Sequence, residues 1–205
     1  MLKTKDIKEQ LLHKYDYGFF RETGYNCVNG KRYVDLRHVI FIVDKPYIFE
    51  ESLDFEPRMD KEWYDKNYWP RIDNQINGLV DTLINNPCSR QATLVLARQD
   101  EYDTNDHICT MYSHVFLDTI VDNTYAIEYS VNLRSSDAFD FVSDVKWNTL
   151  VVDTILDKLV EKTGWQILKL PIIWHADSFQ LSIEKYNKIK EKYNKIKNEN
   201  NTTFN

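Results

Sequence analysis

The chain has 205 residues, enough for one domain with a sizeable core. Its 13 Tyr, 10 Phe and 5 Trp against only 5 Gly and 5 Pro exclude a disordered or low-complexity protein. A net charge of −6 makes it a poor wrapper of nucleic acid, although a local basic pocket stays open to it.

Residues 3–15 carry Ile7, Leu11, Leu12 and Tyr15 at helical spacing. Gly18 to Gly24 breaks that pattern. The pair Asn29-Gly30 between Tyr25–Val28 and Lys31–Leu36 signals a hairpin. Val39 to Val43 is a continuous apolar run and reads as a buried strand, ended by Asp44-Lys45-Pro46. Asp60 to Tyr68 reads as helical, and Gln75 to Asn85 as an amphipathic helix with Ile76, Leu79, Val80, Leu83 and Ile84 on one face. Asn86-Pro87 stops it. Gln91 to Ala97 reads as a strand, Arg98 to Asp106 as a polar loop, Cys109 to Leu117 as a strand, and Asp118 to Thr124 as a turn. Trp147 to Val160 has Val151, Ile155 and Leu159 in helical register, with Thr163-Gly164 as its stop. Ile167 to Trp174 reads as a last strand, broken by Pro171. Residues 185–191 and 192–198 nearly repeat each other, which predicts a charged, solvated amphipathic helix with a frayed end. We expect one domain over residues 1–182 and a helical tail over 183–205.

Three cysteines, Cys27, Cys88 and Cys109, form neither a C-x-x-C nor a Cys/His metal spacing. Neither a disulfide framework nor a metal site is expected. The stretch from Met1 to Gly18 is charged and lacks the apolar core of a signal peptide, and no run approaches the roughly 20 apolar residues of a membrane span. The expected setting is a reducing cytoplasm.

The chemistry concentrates at Tyr125 to Asp144. Ala126, Glu128, Ser130 and Asn132 alternate with Ile127, Tyr129, Val131 and Leu133, so a strand has a polar and an apolar face. It runs into Arg134-Ser135-Ser136-Asp137, polar groups suited to an oxyanion and a hydrogen-bonding partner. The plain alternative is an Arg134–Asp137 surface ion pair with Asp144 as a helix N-cap. Cys109 alone reads most simply as an inert thiol; a cation such as Arg134 on a neighbouring strand would turn it into a thiolate nucleophile. Arg90, just after a helix stop, is placed to reach an anion. Asp60 shares a helical face with Trp63.

Together these segments resemble the thymidylate synthase superfamily, most closely its phage deoxycytidylate hydroxymethylase branch. The matching segments are Asn86 to Gln91 (NPCSRQ), Ile108-Cys109-Thr110, and Arg134 to Asp137 (RSSD) followed by Asp144. The branch is further resembled in Phe41 to Phe49 (FIVDKPYIF), in Glu62-Trp63-Tyr64, in the Trp147 helix and in Ile172-Ile173-Trp174. The resemblance spans roughly Tyr25 to Tyr64 and Gln75 to Ser182.

It implies an α+β fold, a mixed sheet backed by helices, dimerising through the sheet face. It implies one-carbon transfer from 5,10-methylenetetrahydrofolate, the cosubstrate, to C5 of a pyrimidine nucleoside monophosphate. Cys109 would add to C6 of the base. Arg134 and Ser135, with Asp137 beside them, would hold the nucleotide, and Arg90 would reach the phosphate across a homodimer interface. Asp60 takes the place of the general acid and Asp144 that of the base-reading residue. Asn at that place suits O4 and N3–H of uracil. A carboxyl accepts from N4 of cytosine and shares a proton with N3, so Asp144 favours dCMP. Val145 is the strict positional match and Asp144 the gapped one, and the gapped match aligns Trp147 with the family's helix-opening Trp. A phage protein acting in a host cytoplasm is the implied setting, without direct contact to nucleic acid or membrane.

The departures are equally specific. The family's general-acid Glu is Asp60, one methylene shorter. The second Arg of its S-R-R segment is Gln91. Its ribose-binding H-x-Y is Gln180-Leu181-Ser182, which leaves hydrogen bonds from Gln180 or Ser182 as substitutes. Its N-terminal basic phosphate loop has no clean match, and the segment before Gln75 is abbreviated. Three expectations therefore stay open: a deoxycytidylate hydroxymethyltransferase, a divergent member that binds a nucleotide or partner without the chemistry, and a thymidylate synthase acting on dUMP.

Overall fold

The computed structural model describes residues 1–19, 21–22, 32–49, 60–98, 108–188 and 190–191. The Asn29-Gly30 hairpin, most of the Arg98 to Asp106 loop, Cys27 and the second tail repeat lie outside the described residues.

The chain runs β1 (Leu2–Lys3), α1 (Thr4–Asp16), β2 (Arg21–Glu22), β3 (Arg32–Ile42), α2 (Lys61–Asn67), α3 (Trp69–Asn85), β4 (Thr93–Val95), β5 (Thr110–Val121), β6 (Thr124–Leu133), β7 (Ser136–Asp137), α4 (Phe141–Thr163), β8 (Gln166–Lys169) and β9 (Ile173–Ser182). The strands form one mixed sheet ordered β1-β3-β9-β6-β5-β4, with β2 on β3, β7 on β9 and β8 on β6. This is the expected class, an open mixed sheet with helices. Among the described residues no helix is long and apolar enough to cross a membrane.

Two cross-strand rows show how the sheet divides the molecule. Phe41, Trp174, Val131, Ser113 and Leu94 are successive partners across β3, β9, β6, β5 and β4. All five are fully buried. They meet the inward faces of α1, α3 and α4, including Ile7, Leu11, Ile76, Leu83, Val151 and Ile155, in one core. Each large side chain buried in this way contributes roughly 1.5–3 kcal/mol. One residue along every strand, the row Ile40, His175, Asn132, Tyr112 and Val95 points the other way. Ile40, Tyr112 and Val95 in it are exposed.

Several elements differ from the sequence expectation. Lys31–Leu36 and Val39–Val43 belong to one strand, β3, which passes through His38 at φ 51°. Its apolar run is buried on one side only, because Ile40 lies on the open face. The expected turn at Asp118 to Thr124 is mostly strand; β5 continues to Val121 and Asp122-Asn123 makes a tight hairpin, with Asn123 left-handed at φ 58°. β4 is shorter than Gln91 to Ala97. α3 starts earlier, at Trp69, because Pro70 suits a first helical turn. α4 opens at Phe141 instead of near Trp147, since buried Phe141 and Val145 extend its apolar stripe backwards. It closes on Gly164 in the left-handed conformation, as expected. Pro171 separates two strands, β8 and β9, both parallel to β6. Residues 183–188 are helical, and Tyr186 of the first tail repeat packs on Tyr15 and Phe49.

Asp44, from the run that ends β3, caps α1: its Oδ1 accepts the Thr4 N–H at 3.0 Å. Burial pushes this carboxyl up, but the hydrogen bonds from Thr4 prevail and hold it below the ordinary aspartate value. A carboxylate lowered in the fold stabilises above its unfolded pKa, and loses that contribution as pH falls through the folded one. Asp44→Ala is expected to cost up to about 1 kcal/mol at pH 7. The gap from wild type should close in acid, as read by urea denaturation at pH 7 and pH 3.

Candidate functional site

The register of β5 on β6 puts Cys109 at the centre. Thr110 pairs with Leu133, and one residue further the Arg134 N–H donates to the Cys109 carbonyl at 2.9 Å. Ser135 Oγ donates to Cys109 Sγ at 3.2 Å. Arg134 Nε donates to the Ile108 carbonyl at 3.3 Å, which lays the guanidinium along the strand that carries the thiol. Cys109 and Ser135 are partly exposed and Arg134 is exposed. A half-open thiol beside a hydroxyl and a cation has the surroundings of a reactive cysteine.

Tyr68 lies next to it and belongs to a group of four rings. Tyr68 OH accepts the Cys109 N–H at 3.3 Å. Tyr64 and Tyr68 meet edge to face at 5.2 Å, and Trp147 stacks on Tyr64 at 5.7 Å and meets Tyr68 at 5.0 Å. Trp63 meets Tyr68 at 5.2 Å. Asp144 is buried against this group, and Tyr64 OH donates to its Oδ1. Burial, then the charge and hydrogen bond of Asp144, push the Tyr64 phenol far up. Burial, then the charges of Asp144 and Cys109, do the same to Tyr68. Both phenols therefore stay neutral. Asp144 is not the helix N-cap: that position falls on Asp140, whose carbonyl accepts the Asp144 N–H at 3.1 Å.

Asp60 is the N-cap of α2, and its Oδ1 accepts the Trp63 N–H at 2.8 Å. It lines a cavity of about 340 Å³ together with Lys61, Tyr64, Ser143, Lys146 and Trp147. Cys109 is not in that lining. The Trp147 indole N–H is buried with no hydrogen-bond partner among the described residues.

The other expected residues lie in separate places. Asp137 pairs with Gln180 between β7 and β9; its Oδ1 accepts the Phe139 N–H at 2.9 Å and lies 3.7 Å from Lys185 Nζ. Gln180 donates to Ser178 Oγ at 2.9 Å, and Ser178 to Asp35 Oδ1 at 2.6 Å. Buried Ser182 donates to Glu184 Oε2 at 3.2 Å and accepts the Lys185 N–H at 3.4 Å. Gln180 and Ser182 are thus engaged with protein partners. Arg90 is exposed between α3 and β4. β4 runs antiparallel to β5 with Thr93 opposite His114, so the chain before Thr93 leads away from the Cys109 end of β5. One chain therefore brings together Cys109, Arg134 and Ser135, with Asp144 behind two tyrosines, and leaves Arg90 apart.

Tyr64 and Tyr68 are the site residues that sequence reasoning missed as chemistry. Their signal was spacing: Asp60, Tyr64 and Tyr68 fall four apart, on one side of a helical segment.

No protein-family model matches this chain, and no curated protein matches it. Among solved structures it is similar to a thermostable thymidylate synthase A from Bacillus subtilis, with 19% identity and a TM-score of 0.40 over 57% of this chain. The chain spans 38% of that enzyme's length. A likeness of that extent adds no weight to a functional assignment.

The cation beside Cys109 has a measurable consequence. Arg134→Ala is expected to move the pH midpoint of Cys109 alkylation up by about one unit. Peptide mapping after iodoacetamide treatment between pH 6 and 9 separates Cys109 from Cys88 and Cys27. An unchanged midpoint would mean that the guanidinium does not act on the thiol.

Proposed function

We propose that the chain is a C5 hydroxymethyltransferase of a pyrimidine nucleoside monophosphate, with dCMP as substrate: dCMP, 5,10-methylenetetrahydrofolate and water give 5-hydroxymethyl-dCMP and tetrahydrofolate. The observation that carries this reading is the 3.2 Å contact between Cys109 Sγ and Ser135 Oγ, at a strand end that also bears Arg134. A nucleophile, a hydroxyl and a guanidinium at one place suit a nucleotide whose phosphate and base ring are engaged at the same time.

In this reading the Cys109 thiolate adds to C6 of the base. The resulting electron-rich C5 would take up the one-carbon unit as its bond to the folate nitrogen breaks and would give up its proton, water would add to the new exocyclic carbon, and departure of the Cys109 thiolate would restore the ring. Arg134 and Ser135 hold the phosphate. Asp144, supported by Tyr64, meets the N4 and N3 edge of cytosine. Asp60 supplies a carboxyl at the cavity. 5,10-Methylenetetrahydrofolate supplies one carbon at the oxidation level of formaldehyde. The cavity beside Asp60 is edged by Tyr64 and Trp147 and would receive part of such a molecule; Lys146 suits its acidic tail, while Lys61 is engaged with Asp65 at 2.5 Å. The exposed Ile40, Tyr112 and Val95 suit a sheet-face homodimer, in which Arg90 would come from the partner.

A second reading is a nucleotide-binding protein without the one-carbon chemistry. It is favoured by Asp60, which is spent on capping α2, and by the absence of Cys109 from the cavity lining.

Incubation with dCMP or dUMP and 5,10-methylenetetrahydrofolate, followed by mass spectrometry, separates the readings. The expected product is 5-hydroxymethyl-dCMP, lost in Cys109→Ala by at least about 10³-fold, as for removal of a covalent nucleophile. A methyl product on dUMP would make the chain a thymidylate synthase. Tight dCMP binding without any product, and without tritium release from C5, would establish the second reading.

A further inference from the structure

We propose that Tyr64 sets the base preference of the site, because its hydroxyl, donated to Oδ1 of Asp144, holds that carboxyl as a hydrogen-bond acceptor. This rests on the nucleotide reading above and names a positioning residue for it.

A carboxyl as buried as Asp144, at 5% exposure, has two forms with different recognition. The neutral acid carries one donor and one acceptor. It can satisfy uracil, with O–H to O4 and C=O from N3–H. It can equally satisfy cytosine, with O–H to N3 and C=O from N4–H. The neutral acid therefore discriminates poorly. The ionised carboxylate only accepts. It takes N4–H and a proton held on N3 of cytosine, but it opposes O4 of uracil with a second acceptor. Base choice follows from which form the protein maintains.

The groups around Asp144 pull in both directions. Burial favours the neutral form, and Asp140, one turn earlier on α4, adds a like charge. Lys185 Nζ, 4.0 Å from Asp140, offsets part of that. Tyr68, at the head of α3, and Cys109, before β5, also act on this place, as their mutual effects on the phenols show. Tyr64 is a donor aimed at Oδ1, and burial keeps its own proton on, so the phenol stays able to donate. A hydrogen bond donated to the charged form favours that form. The ring is clamped by Trp63, Tyr68 and Trp147, so the hydroxyl has a fixed direction.

The test uses the full chain and two readouts. Calorimetry gives the ratio of dCMP to dUMP affinity, and ¹³C NMR of labelled Asp follows the Asp144 carboxyl, assigned by its loss in Asp144→Asn. In Tyr64→Phe the affinity ratio should fall about tenfold or more, and the Asp144 titration midpoint should rise. In the Asp144→Asn background, where the amide has its own fixed donor and acceptor, Tyr64→Phe should leave the ratio unchanged. Should Tyr64→Phe fail to fold, 3-fluorotyrosine at position 64 keeps ring and hydroxyl while strengthening the donor, and should lower the midpoint. A wild type that prefers dCMP while Tyr64→Phe keeps both ratio and midpoint overturns the role of Tyr64 and leaves the nucleotide reading standing. A wild type that binds neither nucleotide overturns both.

Discussion

The site depends on which residue of β5 faces which residue of β6. Thr110 stands opposite Leu133, yet Tyr112 stands opposite Asn132, so β5 carries one extra residue there. That bulge is pinned from its other side, where the Met111 carbonyl accepts both Leu96 and Ala97 N–H groups at 3.0 Å. Side chains alternate across a sheet, so a slip of one residue would send every side chain of β5 to the opposite face. The bulge therefore fixes two things together. It keeps Ser113, Val115 and Leu117 in the core, and it sets Cys109 against Arg134 and Ser135. Core packing, worth far more than any one polar contact, thereby positions the thiol.

The second constraint is the ring group of Trp63, Tyr64, Tyr68 and Trp147. A core built only for stability would place an aliphatic side chain where Asp144 sits. A buried carboxyl demands donors, and losing them is costly. Here the chain supplies a phenol from α2, and places the carboxyl in the first turn of α4, where the helix dipole favours negative charge. Such local expense with its own compensation is characteristic of functional places in a fold.

Much of this was legible in the sequence, and the reasons for the rest are physical. Periodicity located α1, α3, the body of α4 and the β5–β6 pair, since each has an apolar stripe of the right period. It misplaced the start of α4, because Asp137 to Asp144 is rich in acids and looks like a cap, whereas Phe141 and Val145 decide the matter by burial. It split β3 at Arg37-His38, because a polar pair on an open face resembles a turn. It could not see the Met111 bulge, which leaves no mark in residue type. Cys109, Arg134, Ser135 and Asp144 were visible as chemistry-bearing residues. Tyr64 was not, because a tyrosine among aromatics reads as core until its hydroxyl is seen against a carboxylate. Gln180 and Ser182 were visible only through the resemblance, since the last strand was expected to end at Trp174, and their partners, Ser178 and Glu184, are set by β9 and the helix after it.

The two faces of the sheet complete the logic. The row from Phe41 to Leu94 is sealed by helices, while the row from Ile40 to Val95, one residue away, keeps three large apolar side chains in solvent. Polar residues would serve the strands equally well at Ile40, Tyr112 and Val95, so this face is more apolar than the sheet itself requires. On the same chain the segment that carries Arg90 leads away from the Cys109 end of β5, where Arg134 lies along the strand. The sheet thus has one face sealed by the chain's own helices and one face on which large apolar side chains stay exposed.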